Sequence, residues 1–137
     1  MRVLLDTCVL AEIRRPQGSP GVKRALSELP DDALFLSVLS LGEISKGISL
    51  LQDGKKKQAL TSWLSGLQKE FTARILPVNP DIAMIWGELT ARAQNSGVSI
   101  PAVDGLLAAT ALHNGLHIMT RNTRHFSSSG ALVIDPW

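Results

Sequence analysis

Short apolar runs alternate along this chain with stretches in which apolar residues recur every three or four positions. Val3-Leu4-Leu5, Leu34 to Ser37, Ile75-Leu76, His117 to Thr120 and Leu132 to Ile134 are too short for helices. They are apolar at successive positions, the pattern of strands covered on both faces. The segments between them read as helices. A short one begins near Val9. Ser19 followed by Pro20, a cap and then a proline at the first helical position, opens a second that Pro30 stops. Ser40-Leu41-Gly42-Glu43 matches a capping box and predicts a helix with Leu41, Ile44, Ile48 and Leu51 on one side, broken at Asp53-Gly54.

The spacing of Leu60, Trp63, Leu64 and Leu67 predicts a helix from about Lys55 to Phe71, before the strand near Ile75-Leu76 that Pro77 closes. Asn79-Pro80 opens another, with Ile82, Ala83, Trp86, Leu89 and Ala93 on its buried stripe and Gly97 at its end. After Pro101, Asp104 opens an apolar helix, Leu106 to Leu112, capped by Gly115. Five strands interleaved with helices predict an α/β fold whose parallel sheet carries helices on both faces.

Composition narrows the picture. At 137 residues the chain is expected to form a single domain over 1–137 with a sizeable core, and 45% hydrophobic residues exclude a disordered chain. No apolar stretch approaches the ~20 residues that span a bilayer. Asp6 interrupts the apolar start, so a secretory leader is not expected, and one cysteine makes no internal disulfide; the cytoplasm is the expected compartment. A net charge of +2 falls short of a dedicated nucleic-acid binder, although Arg14-Arg15, Lys55-Lys56-Lys57 and the pair Arg121 and Arg124 are local basic clusters.

Three acids stand where the pattern changes from strand to helix or in a helix's first turn: Asp6, Glu43 and Asp104. Each alone reads as a helix cap or a dipole partner. In an open parallel sheet, however, such junctions gather along one edge, and three carboxylates gathered there call for a cation. Their hard oxygens suit Mg²⁺ or Mn²⁺, which act on phosphodiesters through an activated water. Without a cation, mutual repulsion should raise the pKa of at least one of them. Cys8 reads as packing, Trp63 and Trp86 as core, and Trp137 as packing at the carboxyl end or at a dimer contact. His113 and His117 have zinc-pair spacing, but Gly115 lies between them and His117 begins a strand.

Four motifs in order resemble those of PIN-domain ribonucleases, specifically the toxins of VapBC or FitAB type toxin–antitoxin pairs. They are Leu5-Asp6-Thr7-Cys8 through Glu12, Ser40 through Gly47 around Glu43, Pro101 through Ala111 around Asp104, and Thr120-Arg121-Asn122-Thr123 with Phe126. Asp135-Pro136-Trp137 resembles the ending of the FitB-like branch. The resemblance implies strand order 3-2-1-4-5, Mg²⁺- or Mn²⁺-dependent RNA cleavage, a homodimer, and an antitoxin with a DNA-binding amino-terminal part that obstructs the site.

Two positions depart from the family pattern. Cys8 stands where Asn is usual. The fourth acid, an Asp directly after Thr-Arg or just before Phe, is replaced by Asn122 and His125, which implies weaker hold on a second metal. Thr7 is expected to hydrogen-bond a ligand carboxylate or a water, and Arg121 to grip a phosphate. The competing expectation is a binding module with weak catalysis that acts with its antitoxin on operator DNA. An aspartyl phosphatase at Asp6 ranks last, because Cys8 stands where its second Asp is commonly found.

Overall fold

β1 (Val3–Leu5) is buried on both faces, and the sheet is built outward from it. In the computed structural model, which describes residues 1–137, β1 pairs in parallel with β2 (Leu34–Ser37) on one side and β4 (His117–Met119) on the other. β3 (Ile75–Leu76) and β5 (Val133–Ile134) close the edges, giving the expected order β3-β2-β1-β4-β5 with every pair parallel. Parallel neighbours need crossover connections, and the helices that supply them cover both faces.

Alternation along β1 divides the core in two. Val3 and Leu5 join Val9, Leu10, Val22, Leu36, Leu67 and Phe71 on one face. There they meet α1 (Thr7–Arg14), α2 (Pro20–Ser27) and α4 (Lys55–Glu70). Leu4 points the other way and packs with Ile82, Leu89, Leu107, Ala108 and Ile118. Those residues come from β4, α5 (Pro80–Asn95) and α6 (Ala102–Asn114). No helix is long and apolar enough to cross a membrane.

Several local expectations hold in detail. Ser19 caps α2 by accepting from the Val22 amide, and Asn79 caps α5 by accepting from the Ile82 amide at 2.9 Å. Gly115 ends α6 in the left-handed region at φ 66°, where a side chain would be strained. His113 is exposed on α6 and His117 begins β4, so they form no pair. Trp86 is half-buried against the second core and Trp63 against the first.

Others need correction. The capping box does not form: α3 (Val38–Ser49) starts three residues earlier, capped by Ser37, whose Oγ accepts from the Leu39 amide at 3.0 Å. Ser40 is fully buried inside that helix, its hydroxyl without a partner. Glu43 therefore lies in the second turn instead of opening the helix, and Leu51 falls beyond its end. On α5, Ala83 is exposed and not part of the stripe. α1 begins at Thr7, ahead of Val9, and a short helix α7 (Thr123–Phe126), for which no element was predicted, follows β4. Strand ends differ by a residue: β4 stops at Met119 and β5 starts at Val133.

Candidate active site

β1 and β4 run side by side with Leu5 opposite Met119, so the next residues, Asp6 and Thr120, leave the sheet together. The Asp6 amide still donates to the Met119 carbonyl at 3.0 Å, which holds the junction in register. Asp6 is 5% exposed and Thr120 fully buried. Thr120 Oγ1 donates to Asp6 Oδ2 at 2.8 Å, and Asp6 Oδ1 accepts from the Thr7 amide at 2.7 Å as the cap of α1. Both carboxylate oxygens are thus oriented by the fold, one through a helix N-terminus and one through a strand 114 residues away.

Thr7 does more than follow Asp6. Its hydroxyl donates to Glu43 Oε1 at 2.8 Å and ties α1 to α3 at the acid. Thr7 was expected to bond a ligand carboxylate or a water; the carboxylate it bonds here is that of Glu43. Beside Glu43 a groove of about 540 Å³ runs between α3 and the start of α6, lined by Val38, Lys46, Leu50 and Val103.

Asp104 is the third residue of α6, in a first turn that Pro101 leaves without a side-chain cap. Gly105 follows it for a steric reason: a Cβ there would lie 3.0 Å from two atoms of the Trp86 indole, so this close α5–α6 contact sets the position of Asp104. Burial pushes the Asp104 carboxyl above the ordinary range, and the Asp6 charge pushes it further, while the His125 hydrogen bond and charge pull it back. A raised carboxylate was expected. Desolvation leads as its cause, with repulsion second.

Of the two replaced positions, His125 is the one that faces the acids. From α7 its Nδ1 lies 2.6 Å from Asp104 Oδ2. Asn122 is exposed and is engaged through its backbone: its amide donates to Thr120 Oγ1 at 3.0 Å and its carbonyl accepts from the His125 amide at 3.0 Å. Arg121 is also exposed, its guanidinium 5.6 Å from the centre of the Trp137 ring. Trp137 packs against the first core.

Cys8 packs as expected and is also part of the site's floor. Its Sγ is 3.8 Å from Asp6 Oδ2 and 3.6 Å from Thr120 Oγ1. Burial pushes its thiol up, which argues against a thiolate nucleophile. Thr120 is named in the fourth motif but has no role assigned from the sequence. Its position at the end of the strand flanking β1 was the available signal, and only the β1–β4 pairing gives that signal meaning.

The donor chemistry suits a hard divalent cation: carboxylate oxygens from Asp6, Glu43 and Asp104, with two of those carboxyls repelling each other and no thiolate competing. As the side chains stand, Glu43 is engaged by Thr7 and Asp104 by His125, and no three His, Cys, Asp or Glu side chains form a ready ligand set.

Comparison with known proteins agrees with this fold. The family model for the PIN domain matches residues 3–130. Toxin FitB of Neisseria gonorrhoeae is 36% identical over 136 residues, covering 98% of both chains. A protein of Sinorhizobium fredii named VapC ribonuclease Y4jK is 29% identical over 98% of this chain and 97% of its own. The solved structure of FitAB bound to an IR36 DNA fragment superposes with a TM-score of 0.92 at 34% identity, covering 98% of this chain and 95% of that one. The strand order, the four motifs and these likenesses converge: the chain belongs to the PIN-domain family.

Proposed function

We propose that this chain, acting as one domain over residues 1–137, is the toxin of a toxin–antitoxin pair and an endoribonuclease dependent on Mg²⁺ or Mn²⁺. The observation that carries the reading is the buried Asp6, held by Thr7 and Thr120 and close enough to Asp104 to raise its pKa. Asp6, Glu43 and Asp104 would hold the cation. When bound, it would neutralise charge on a phosphodiester and lower the pKa of a water.

The chain's own groups prepare that site. Thr120 and the Thr7 amide fix the two oxygens of Asp6, so little reorganisation is left for the moment of reaction. Thr7 Oγ1 holds Glu43 at the mouth, and His125 Nδ1 holds Asp104. Arg121, steadied over Trp137 and otherwise exposed, would meet a phosphate of the bound RNA.

The antitoxin partner follows from the names and complexes of the relatives, and a DNA-binding amino-terminal part on that antitoxin is proposed with it. A homodimer and action in the cytoplasm belong to the same reading. The second reading, a catalytically weak module that works with its antitoxin on operator DNA, is favoured by Asn122 and His125 in place of an acid and by the DNA-bound FitAB neighbour. Incubation of the purified protein with mixed RNA in Mg²⁺, Mn²⁺ or chelator tests both. Metal-dependent cleavage that Asp104→Asn abolishes supports the nuclease. Absent cleavage with intact antitoxin-dependent operator binding supports the module.

A further inference from the structure

α1 carries two arginines near its end, and the site as described makes no use of them. Arg14 and Arg15 are both exposed. Arg15 has one partner, Glu12 at 3.5 Å, with the arginine side chain 64% exposed, and bridges of that kind contribute little. Glu12 itself is engaged more closely by the Ser19 amide, at 2.7 Å. Arg14 has no carboxylate partner; its guanidinium sits 5.9 Å from the centre of the Trp63 ring. Complementing the negative end of a short helix explains one positive charge there. It does not explain the aromatic ring beneath, or what the two side chains border.

They border a pocket of about 220 Å³ between α1, α3 and α4, lined also by Trp63, Ile44 and Thr7. Thr7 is the residue whose hydroxyl holds Glu43, so the pocket shares one lining residue with the hydrogen bond to that carboxylate. The volume lies below the ~300–1,000 Å³ of sites for drug-sized ligands, which suits one planar ring better than a larger group. An aromatic wall offers stacking to any base, and the exposed guanidiniums at the rim, Arg14 without a carboxylate partner and Arg15 held only by its bridge to Glu12, offer bidentate contacts to phosphate. We propose that this pocket is a nucleotide subsite of the RNA path: it takes the base adjacent to the scissile phosphate against Trp63 and Ile44, with Arg14 and Arg15 on the neighbouring phosphates. The proposal rests on the nuclease reading and adds where the strand lies and which side chains select it.

The test is equilibrium binding of a fluorescein-labelled, random-sequence single-stranded 12-mer RNA in chelator, from low to moderate salt. Each phosphate contact to a single strand contributes about −0.7 to the slope of log K against log salt. Arg14→Gln with Arg15→Gln should therefore flatten the slope by roughly 1.4. Lys55→Gln with Lys56→Gln removes the same charge from the start of α4 and should leave the slope as it was. Trp63→Leu should weaken binding about tenfold. Trp63→Phe, which keeps a ring and the core contact, should retain most of it; a folded circular-dichroism spectrum separates lost stacking from lost structure.

If the parent binds RNA and the arginine and lysine pairs change the slope equally, the subsite is refuted and the nuclease reading stands. A parent that neither binds nor cleaves RNA sinks that reading, and the subsite with it. If the arginine pair loses affinity for the antitoxin's carboxy-terminal peptide while its RNA slope is unchanged, the pocket is a protein-docking groove and the proposal is overturned.

Discussion

Replacing Thr120 by Val removes one hydroxyl from the centre of the site while keeping the side chain's shape. The lost bond runs from Thr120 Oγ1 to Asp6 Oδ2 at 2.8 Å, between a fully buried threonine and an aspartate 5% exposed. Water has no room to replace the donor. After the change Oδ2 keeps only the Cys8 thiol at 3.8 Å, while Oδ1 keeps the Thr7 amide. A hydrogen bond to a charged group contributes about 1.5–3 kcal/mol, and stranding a buried acceptor places the loss at the upper end of that range. The Asn122 amide also loses its acceptor, but Asn122 is exposed and solvent can serve it. The sum is about 2–3 kcal/mol, which at a urea slope of about 1–3 kcal/mol per molar lowers the unfolding midpoint by roughly 1 M. Urea melts followed by circular dichroism at pH 7 in chelator give the value. Thr110→Val is the reference: Thr110 is equally buried, but its hydroxyl donates to the Leu106 carbonyl within one helix, a neutral bond of about 0.5–1.5 kcal/mol. Thr120→Ser, which retains the donor, should recover most of the loss. A Thr120→Val midpoint no lower than that of Thr110→Val would refute the claim that Thr120 holds the Asp6 carboxylate.

Asp104→Asn should stabilise the protein at pH 7 in chelator. A carboxyl raised by burial and by Asp6 contributes its stability below the unfolded value of about 3.9 and loses it as pH rises through the raised one, so the variant's advantage should grow from about pH 4 upward. Urea midpoints of both proteins from pH 4 to 8 check this, and a pH-independent difference contradicts it. His125→Asp puts a carboxylate against Asp104 and should lower the Mg²⁺ or Mn²⁺ concentration for half-saturation in calorimetry, whereas Asn122→Asp, exposed and without contact to Asp104, should change it less. Equal affinities in all three proteins would remove His125 from the metal account. Gly105→Ala drives a methyl group to 3.0 Å from the Trp86 indole and should destabilise by about 1–3 kcal/mol, with part recovered by adding Trp86→Phe; an unchanged melt shows that the α5–α6 contact yields freely.

Much of this architecture is local and therefore readable in the chain. Val3-Leu4-Leu5 is apolar at every position because β1 has a core on each face, and that pattern survives whatever surrounds it. Ser19-Pro20 and Asn79-Pro80 mark helix starts because cap and first-turn geometry involve only neighbouring residues. Asp6 and Asp104 were legible for the same reason, each at or near a helix start. Glu43 was found by its motif and misplaced by its pattern. Ser-x-x-Glu fits a capping box locally, but α3 begins where β2 ends at Ser37, and that end is set by the pairing of Ser37 with Leu76. Thr120 beside Asp6, His125 against Asp104 and Arg14 over Trp63 each join separate elements. Their distances depend on strand register, on the α5–α6 contact at Gly105 and on the packing of α1 against α4. Periodicity along the chain carries which residues face a core; only the closed tertiary structure decides which of them meet, because a contact across the sheet is fixed by the summed geometry of every element between its partners.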